Sequence, residues 1–510
     1  MFRYLLPLLV LPTLAVAAPG HKGAELPPVF QSLGGLPGDL DTSFNTSGRV
    51  TIAVDPTPTL EDHGIIVAPR VSGGYLVYGF LPPTGDLAVT ALNDGGSVDT
   101  SFGINGRIIY DRQFLTVEAA TIDNNGRVII VGNSREPGSP SSDFDPYVCR
   151  FTTGGQPDSA FGGTSGCVLY PIDIVANGAD YATAVTTDPG SIYVAGQVQL
   201  DTSDDFDLLA LRIRSTDGTL ITAFSGDGIA TIPFDVNSLE AGGDTDGALA
   251  IARDSGTGLY IAGYADNDGD FDNDWVIAKI DVFSGSYVTS FCTNTTDCPG
   301  SERLNGRRHL PIITTFGQNS EQIQGMTFGA DGNLVVAIQK HLPFNGDWSQ
   351  VIETIKLNPT TGATIAGQSD VRFLQRYVRL EDIALDAAGN VLLSGVTSQN
   401  LGLFGADPQR VMFVSRLTPT LAADTSFTNF LGSPSASTLI DFPRNPNASV
   451  VDHRSEEMLI DANQRILVAG SRLWRRDVPT NVFDYDHAVF RLNGGSAAPA
   501  GPNIFANGFE

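Results

Sequence analysis

The sequence predicts an all-β chain: a seven-bladed β-propeller of four-stranded antiparallel blades, its ring closed by the N-terminal strand. Three observations predict it. A short strand phrase bounded by glycine recurs seven times. A second phrase, Asp-Thr-Ser-Phe, returns at a step of 58 to 67 residues. The repeat is also split between the two ends of the chain. No stretch of a dozen residues beyond the N-terminal apolar run has a helical period.

The strand phrase is clearest in Gly126-Arg-Val-Ile-Ile-Val-Gly132. Its relatives start at Gly74, Ser191, Gly258, Gly332, Gly389 and Gln464. Each is a short β-rich run that follows a turn containing Asp or Gly. A third phrase comes after most of them, as in Asp145-Pro-Tyr-Val-Cys-Arg150-Phe and His487-Ala-Val-Phe-Arg491-Leu, with a basic residue at one register. The Asp-Thr-Ser-Phe phrase ends the unit. Its Phe falls at 44, 102, 161, 224, 291 and 427, and one copy is missing near Gly367–Asp370. In the unit around residue 130 the four strands are expected at Ala119–Ile122, Arg127–Val131, Tyr147–Phe151 and Cys167–Tyr170. Such a unit, buried on both faces against its neighbours, fits a propeller blade.

The last unit, from Met458 to Leu492, has three strands and no terminal phrase. The chain opens with that missing piece, Leu40 to Val54. A ring closed by this strand leaves no open end, whereas an open solenoid would need caps.

These phrases together resemble the delta-60 repeat of bacterial proteins, over residues 40 to about 494. The likeness is strong around residues 98–132 and weak in the unit that lacks the Phe phrase and has Ile338 in place of the closing Gly. The resemblance implies an exported propeller and brings no catalytic residues with it.

Residues 1–18 read as a secretory signal: Arg3, an apolar run from Leu5 to Leu14, and a small-x-small site at Ala15-Val16-Ala17. Residues 19–39 read as a linker, 40–494 as the propeller, and 495–510 as a flexible linker and tail. The ending Ile504-Phe-Ala-Asn-Gly-Phe-Glu510 is similar to endings on exported proteobacterial proteins, and a sorting role stands beside a plain disordered end. The expected location is the periplasm, cell surface or exterior. Lys+Arg 30 against Asp+Glu 57 gives a net charge of -27, which excludes nucleic acid as a natural partner. A protein or carbohydrate partner is left.

Four cysteines form two local pairs, Cys149 with Cys167 and Cys292 with Cys298. An even number in an exported chain points to disulfides, and zinc is disfavoured because no His is near and no C-x2-C spacing occurs. The loop Asp266-Asn-Asp268-Gly-Asp270-Phe-Asp272-Asn-Asp274 places several hard oxygens on one turn. It resembles the calcium loops of integrin-like (FG-GAP type) propeller repeats. That resemblance implies Ca2+ held by Asp266, Asp268, Asp270 and Asp274, with the Asp272 carbonyl. A solvated acidic loop is the other reading.

Catalytic signatures are absent: no G-x-S-x-G, H-E-x-x-H or phosphate loop occurs. His63, His453 and His487 each follow an acidic residue and read as surface charge, as does Arg472-Leu-Trp-Arg-Arg476. The expected function is a non-enzymatic binding or interaction scaffold with no catalytic residues. The alternative is an envelope or extracellular hydrolase or lyase with its site at the propeller axis. A funnel lined by several carboxylates and a His is the mark of that alternative.

Overall fold

The computed structural model describes residues 36–495, apart from 55–60, 83, 202–204, 235–244, 267–272, 297, 300–304, 310–319, 345–346, 372–377, 399–409, 428–435, 443–452 and 476–482. The signal, most of the first linker and the C-terminal tail lie outside these residues.

Seven four-stranded antiparallel sheets form the fold, and six of them run in chain order from innermost to outermost strand. Blades 1 to 6 cover 63–110, 116–169, 181–232, 246–309, 321–371 and 378–440. Blade 7 joins 453–492 to the N-terminal strand Arg49–Ile52. That strand lies antiparallel to Phe483–Leu492, with Arg49 opposite Phe490 and Ile52 opposite His487. The predicted closure is therefore present. The four strands anticipated around residue 130 are Thr116–Ile122, Val128–Ser134, Asp145–Phe151 and Cys167–Leu169. Among the described residues the helical content is one 3-10 turn, Gly163–Ser165.

The innermost strands are His63–Pro69, Thr116–Ile122, Tyr181–Thr187, Asp246–Arg253, Glu321–Phe328, Val378–Leu385 and His453–Ile460. Each touches the innermost strands of both neighbouring blades, which makes a closed ring around an axis.

The core is divided into seven apolar layers, one at each blade junction. The recurring Phe fills six of them: Phe44 lies between blades 7 and 1, Phe161 between 2 and 3, and Phe427 between 6 and 7. The layer between blades 5 and 6 has none, because blade 5 lost the phrase. A guanidinium stacks on the Phe, with Arg491 4.6 Å from the Phe44 ring centre, Arg150 4.8 Å from Phe161 and Arg416 4.7 Å from Phe427. The phrase's Asp binds that Arg: Arg491 Nε donates to Asp41 at 2.8 Å, Arg150 to Asp158 at 2.9 Å and Arg416 to Asp424 at 2.7 Å. Blade 1 has Ala91 at that register, and Arg70, just after its innermost strand, binds Asp99 at 2.6 Å instead. Asp-Thr-Ser-Phe is thus an Arg clasp on an aromatic floor.

Both expected disulfides are formed, Cys149–Cys167 across adjacent strands of blade 2 and Cys292–Cys298 within one loop. No helix among the described residues is long and apolar enough to cross a membrane.

Candidate functional site

All seven innermost strands carry a β-bulge at the same place, where pairing with the second strand skips. The glycine that closes the strand phrase sits opposite it. A Cβ on Gly196 would lie 1.7 Å from the Tyr181 carbonyl oxygen, and one on Gly132 would lie 2.0 Å from that of Thr116. A bulge re-aims a side chain that pairing would hold against the neighbouring blade. The skipped residues are Ile65, Glu118, Thr183, Leu249, Gln324, Glu381, and in blade 7 both Glu456 and Glu457. Blades 2, 6 and 7 thus place carboxylates at the ring's centre, and Asp382 adds a fifth.

Two cavities of about 40 Å³ each share Glu457. One is lined by Asp382 and Glu457 with residues of blades 1 and 2. The other is lined by His63, Glu118, Glu456 and Glu457. Walls drawn from blades that are not neighbours put both on the axis. Each has room for two or three waters and not for a sugar ring. Glu118 is exposed, so the accessible part of this site is its mouth.

The innermost strands have one unpaired edge, whose amides need acceptors. Asp382 serves two, accepting from Ile383 N at 2.6 Å and from Met458 N of blade 7 at 2.8 Å. Glu457 accepts from Ala120 N of blade 2 at 3.2 Å.

Burial and the adjacent Glu456 push the Glu381 carboxyl up to about 8, against Arg379, Arg454 and Arg410. Burial raises Glu456 to about 7, with Arg379 and Arg454 opposing and Glu118 adding. Burial also raises Asp382 to about 7 despite its two amide donors. Glu457 is raised well above the ordinary range by burial, Asp382, Glu456 and Glu381. Arg379 Nε lies 3.1 Å from Glu381 Oε1, and the Arg454 guanidinium stacks 4.7 Å from the Tyr485 ring centre. His63 bonds Glu61 at 3.0 Å, while burial and Arg454 lower its pKa.

The histidines are not surface charge. His453 is buried and bonds Asp441 at 3.0 Å, and His487 is fully buried. Propeller strands are covered on both faces, so a neighbouring acid does not put a residue at the surface. Arg472 is likewise buried, 3.4 Å from Thr51 Oγ1. Asp268, Asp270 and Asp272 lie outside the described residues. Asp266 ends the second strand of blade 4, and Asp274 is buried and 2.9 Å from His309 Nε2.

No family model matches the chain, and no curated protein does. Solved structures match in fold. A Dyadobacter fermentans protein of unknown function is 11% identical, with a TM-score of 0.42 over 87% of this chain and 99% of that one. A Penicillium chrysogenum alpha-L-arabinanase, solved with arabinobiose, is 9% identical, with a TM-score of 0.39 over 85% and 98%. A Lactobacillus gasseri sucrose-6-phosphate hydrolase is 9% identical, with a TM-score of 0.29 over 89% and 95%. The expectation of a non-enzymatic scaffold does not stand. In this chain five carboxylates and His63 gather at the axis, the mark of the enzyme alternative.

Proposed function

We propose that the chain is an exported hydrolase whose acid–base groups are the axial carboxylates, acting on glycosidic bonds. The observation that carries this reading is the convergence of Glu118, Glu381 and Glu456 from three blades, two of them with pKa values near neutrality. Glycoside hydrolysis needs one carboxylic acid that keeps its proton at working pH and one further carboxylate. Glu381 or Glu456 supplies the acid, protonating the leaving oxygen. Glu118, exposed at the mouth, is the second carboxylate, activating water or attacking the anomeric carbon. Arg379, 3.1 Å from Glu381, and the charge of Arg454 keep the acids from rising further. The small axial cavities mean that the bond is presented at the mouth, with the cavities holding water. Two disulfides fit work in an oxidising compartment.

The test is an assay of the purified protein on aryl glycosides and polysaccharides. Glu381→Gln, Glu456→Gln and Glu118→Gln are each expected to lower kcat about 100-fold or more while the unfolding midpoint holds. Absence of turnover on every glycoside, or full activity in all three variants, would overturn the reading.

A further inference from the structure

A second carboxylate group lies away from the axial site, at the junction of blades 2 and 3. A parallel bridge joins Phe144 to Ala179, and Asp180 N donates to the Phe144 carbonyl at 2.6 Å. The next residue on each side is an aspartate, Asp145 and Asp180. Residues at the same step of a parallel pair stand side by side on one face. Both are buried, Asp145 at 2% exposure and Asp180 at 1%, and Asp143 beside them is at 5%.

One oxygen of each is used. Asp145 Oδ1 accepts from Ile172 N at 3.1 Å, and Asp180 Oδ1 accepts from Gln199 N at 2.9 Å. The other oxygen of Asp145, Oδ2, is buried and has no hydrogen-bond partner. The charges that act on the pair are all acidic: Asp143, Asp173 and Glu136 on Asp145, and Asp145, Asp173 and Asp143 on Asp180. Burial and these neighbours push Asp145 up to about 6 and Asp180 up to about 7. An unpaired buried carboxylate is costly, and two side by side cost more, unless a counter-charge joins them.

We propose that a divalent cation of the calcium type binds at this junction, held by Asp145 Oδ2, Asp180 and Asp143, and ties blade 2 to blade 3. Calcium takes six to eight hard oxygens and accepts water among them. No three acidic groups of the described residues already close on one point. The ion therefore draws Asp143 inward and completes its shell with water. This site is separate from the Asp266–Asp274 loop, which belongs to blade 4, and from the axial carboxylates.

The test is calorimetric titration of CaCl2 into the chelator-stripped full chain, with thermal unfolding in parallel. Saturable binding and a raised Tm are expected. Asp145→Asn with Asp180→Asn should weaken binding at least tenfold and remove the rise in Tm, while Asp268→Asn with Asp270→Asn should leave both. Terbium gives a readout that leaves the ligands intact. Its emission is sensitised by Tyr181, next to Asp180, and Tyr181→Phe should cut it by at least half at unchanged affinity. No calcium heat, binding lost through Asp268 and Asp270 instead, or terbium emission indifferent to Tyr181 would each overturn the site. So would a Tm that responds to lowered pH and not to calcium, since the pair would then share a proton.

Discussion

The Glu457 side chain of blade 7 accepts a hydrogen bond from the backbone amide of Ala120 in blade 2, at 3.2 Å. Blade 1 lies between those two blades in the ring, so the bond crosses the axis beside it. The double bulge at Glu456 and Glu457 makes the reach possible. It lets blade 7 send one carboxyl across the shaft and keep another beside Glu381.

Burial and the acidic neighbours Asp382, Glu456 and Glu381 raise the Glu457 carboxyl well above the ordinary range, which favours the protonated form in this bond. Glu457→Gln keeps the acceptor and the shape, so its stability should stay within about 0.5 kcal/mol of the parent. Glu457→Ala leaves the Ala120 amide without its acceptor and should cost about 1–3 kcal/mol. Urea unfolding compares the two. A Gln variant as unstable as the Ala variant would show that the charged form is the one that binds.

The axial acids also set a pH dependence. A carboxyl raised in the folded state holds its proton more tightly there than in the unfolded chain. Its stabilising contribution is complete below the unfolded value near 4 and is lost as pH climbs through about 7 for Asp382 and Glu456 and about 8 for Glu381. Tm should therefore fall between about pH 5 and pH 8 and then level off. In Glu381→Gln with Glu456→Gln the fall should be shallower. Catalysis should share the upper limb, fading above about pH 8 as Glu381 loses its proton. A Tm that rises over this range would contradict the protonated cluster.

The fold was legible because its signals repeat. Asp41, Asp158 and Asp424 recur since each binds an Arg at one register, and Phe44, Phe161 and Phe427 recur since each floors that Arg. The axial site was not legible for the opposite reason. The bulge position is filled by Ile65, Glu118, Thr183, Leu249, Gln324, Glu381 and Glu456, so the place is constant while the residue varies. Lining up the seven innermost strands on the residue that closes the next strand, Gly in six blades and Ile338 in blade 5, exposes the acids of blades 2, 6 and 7. His487 is buried although it follows an acid, because the rule that neighbouring strand residues face opposite ways gives one solvent face only in a half-covered sheet, and a blade has none. The missing phrase near Gly367–Asp370 did not remove a strand. Thr364–Val371 forms the outer edge of blade 5 without the clasp.

The disulfides should differ in effect. Cys149 and Cys167 are 18 residues apart and join the third and fourth strands of blade 2, whereas Cys292 and Cys298 are 6 apart within one loop. Loop-closure entropy favours the longer link, so Cys149→Ser with Cys167→Ser should cost about 3 kcal/mol, and the Cys292, Cys298 pair less. Unfolding of the two double variants under oxidising conditions gives the comparison, and equal losses would count against the entropic account.

Two Arg–Asp pairs test what closes the ring. Arg491 is 1% exposed in its side chain and Asp41 12%, and their bond joins the third strand of blade 7 to the turn before the N-terminal strand. Arg491 also donates to Ser43 Oγ at 2.9 Å and to the Asp94 carbonyl at 2.6 Å. Replacing it with Ala strands a half-buried carboxylate and uncovers Phe44, so the cost should be about 3–5 kcal/mol. Arg214 and Asp217 form a pair of the same chemistry at 48% and 47% exposure, and Arg214→Ala should cost less than about 1 kcal/mol. If closure is the weak point of the ring, Arg491→Ala should also let proteases cut first near Leu40–Val54 while the blade 3 hairpins stay whole. Equal losses in the two variants, or first cuts elsewhere, would mean that the apolar layer between blades 7 and 1 closes the ring without the clasp.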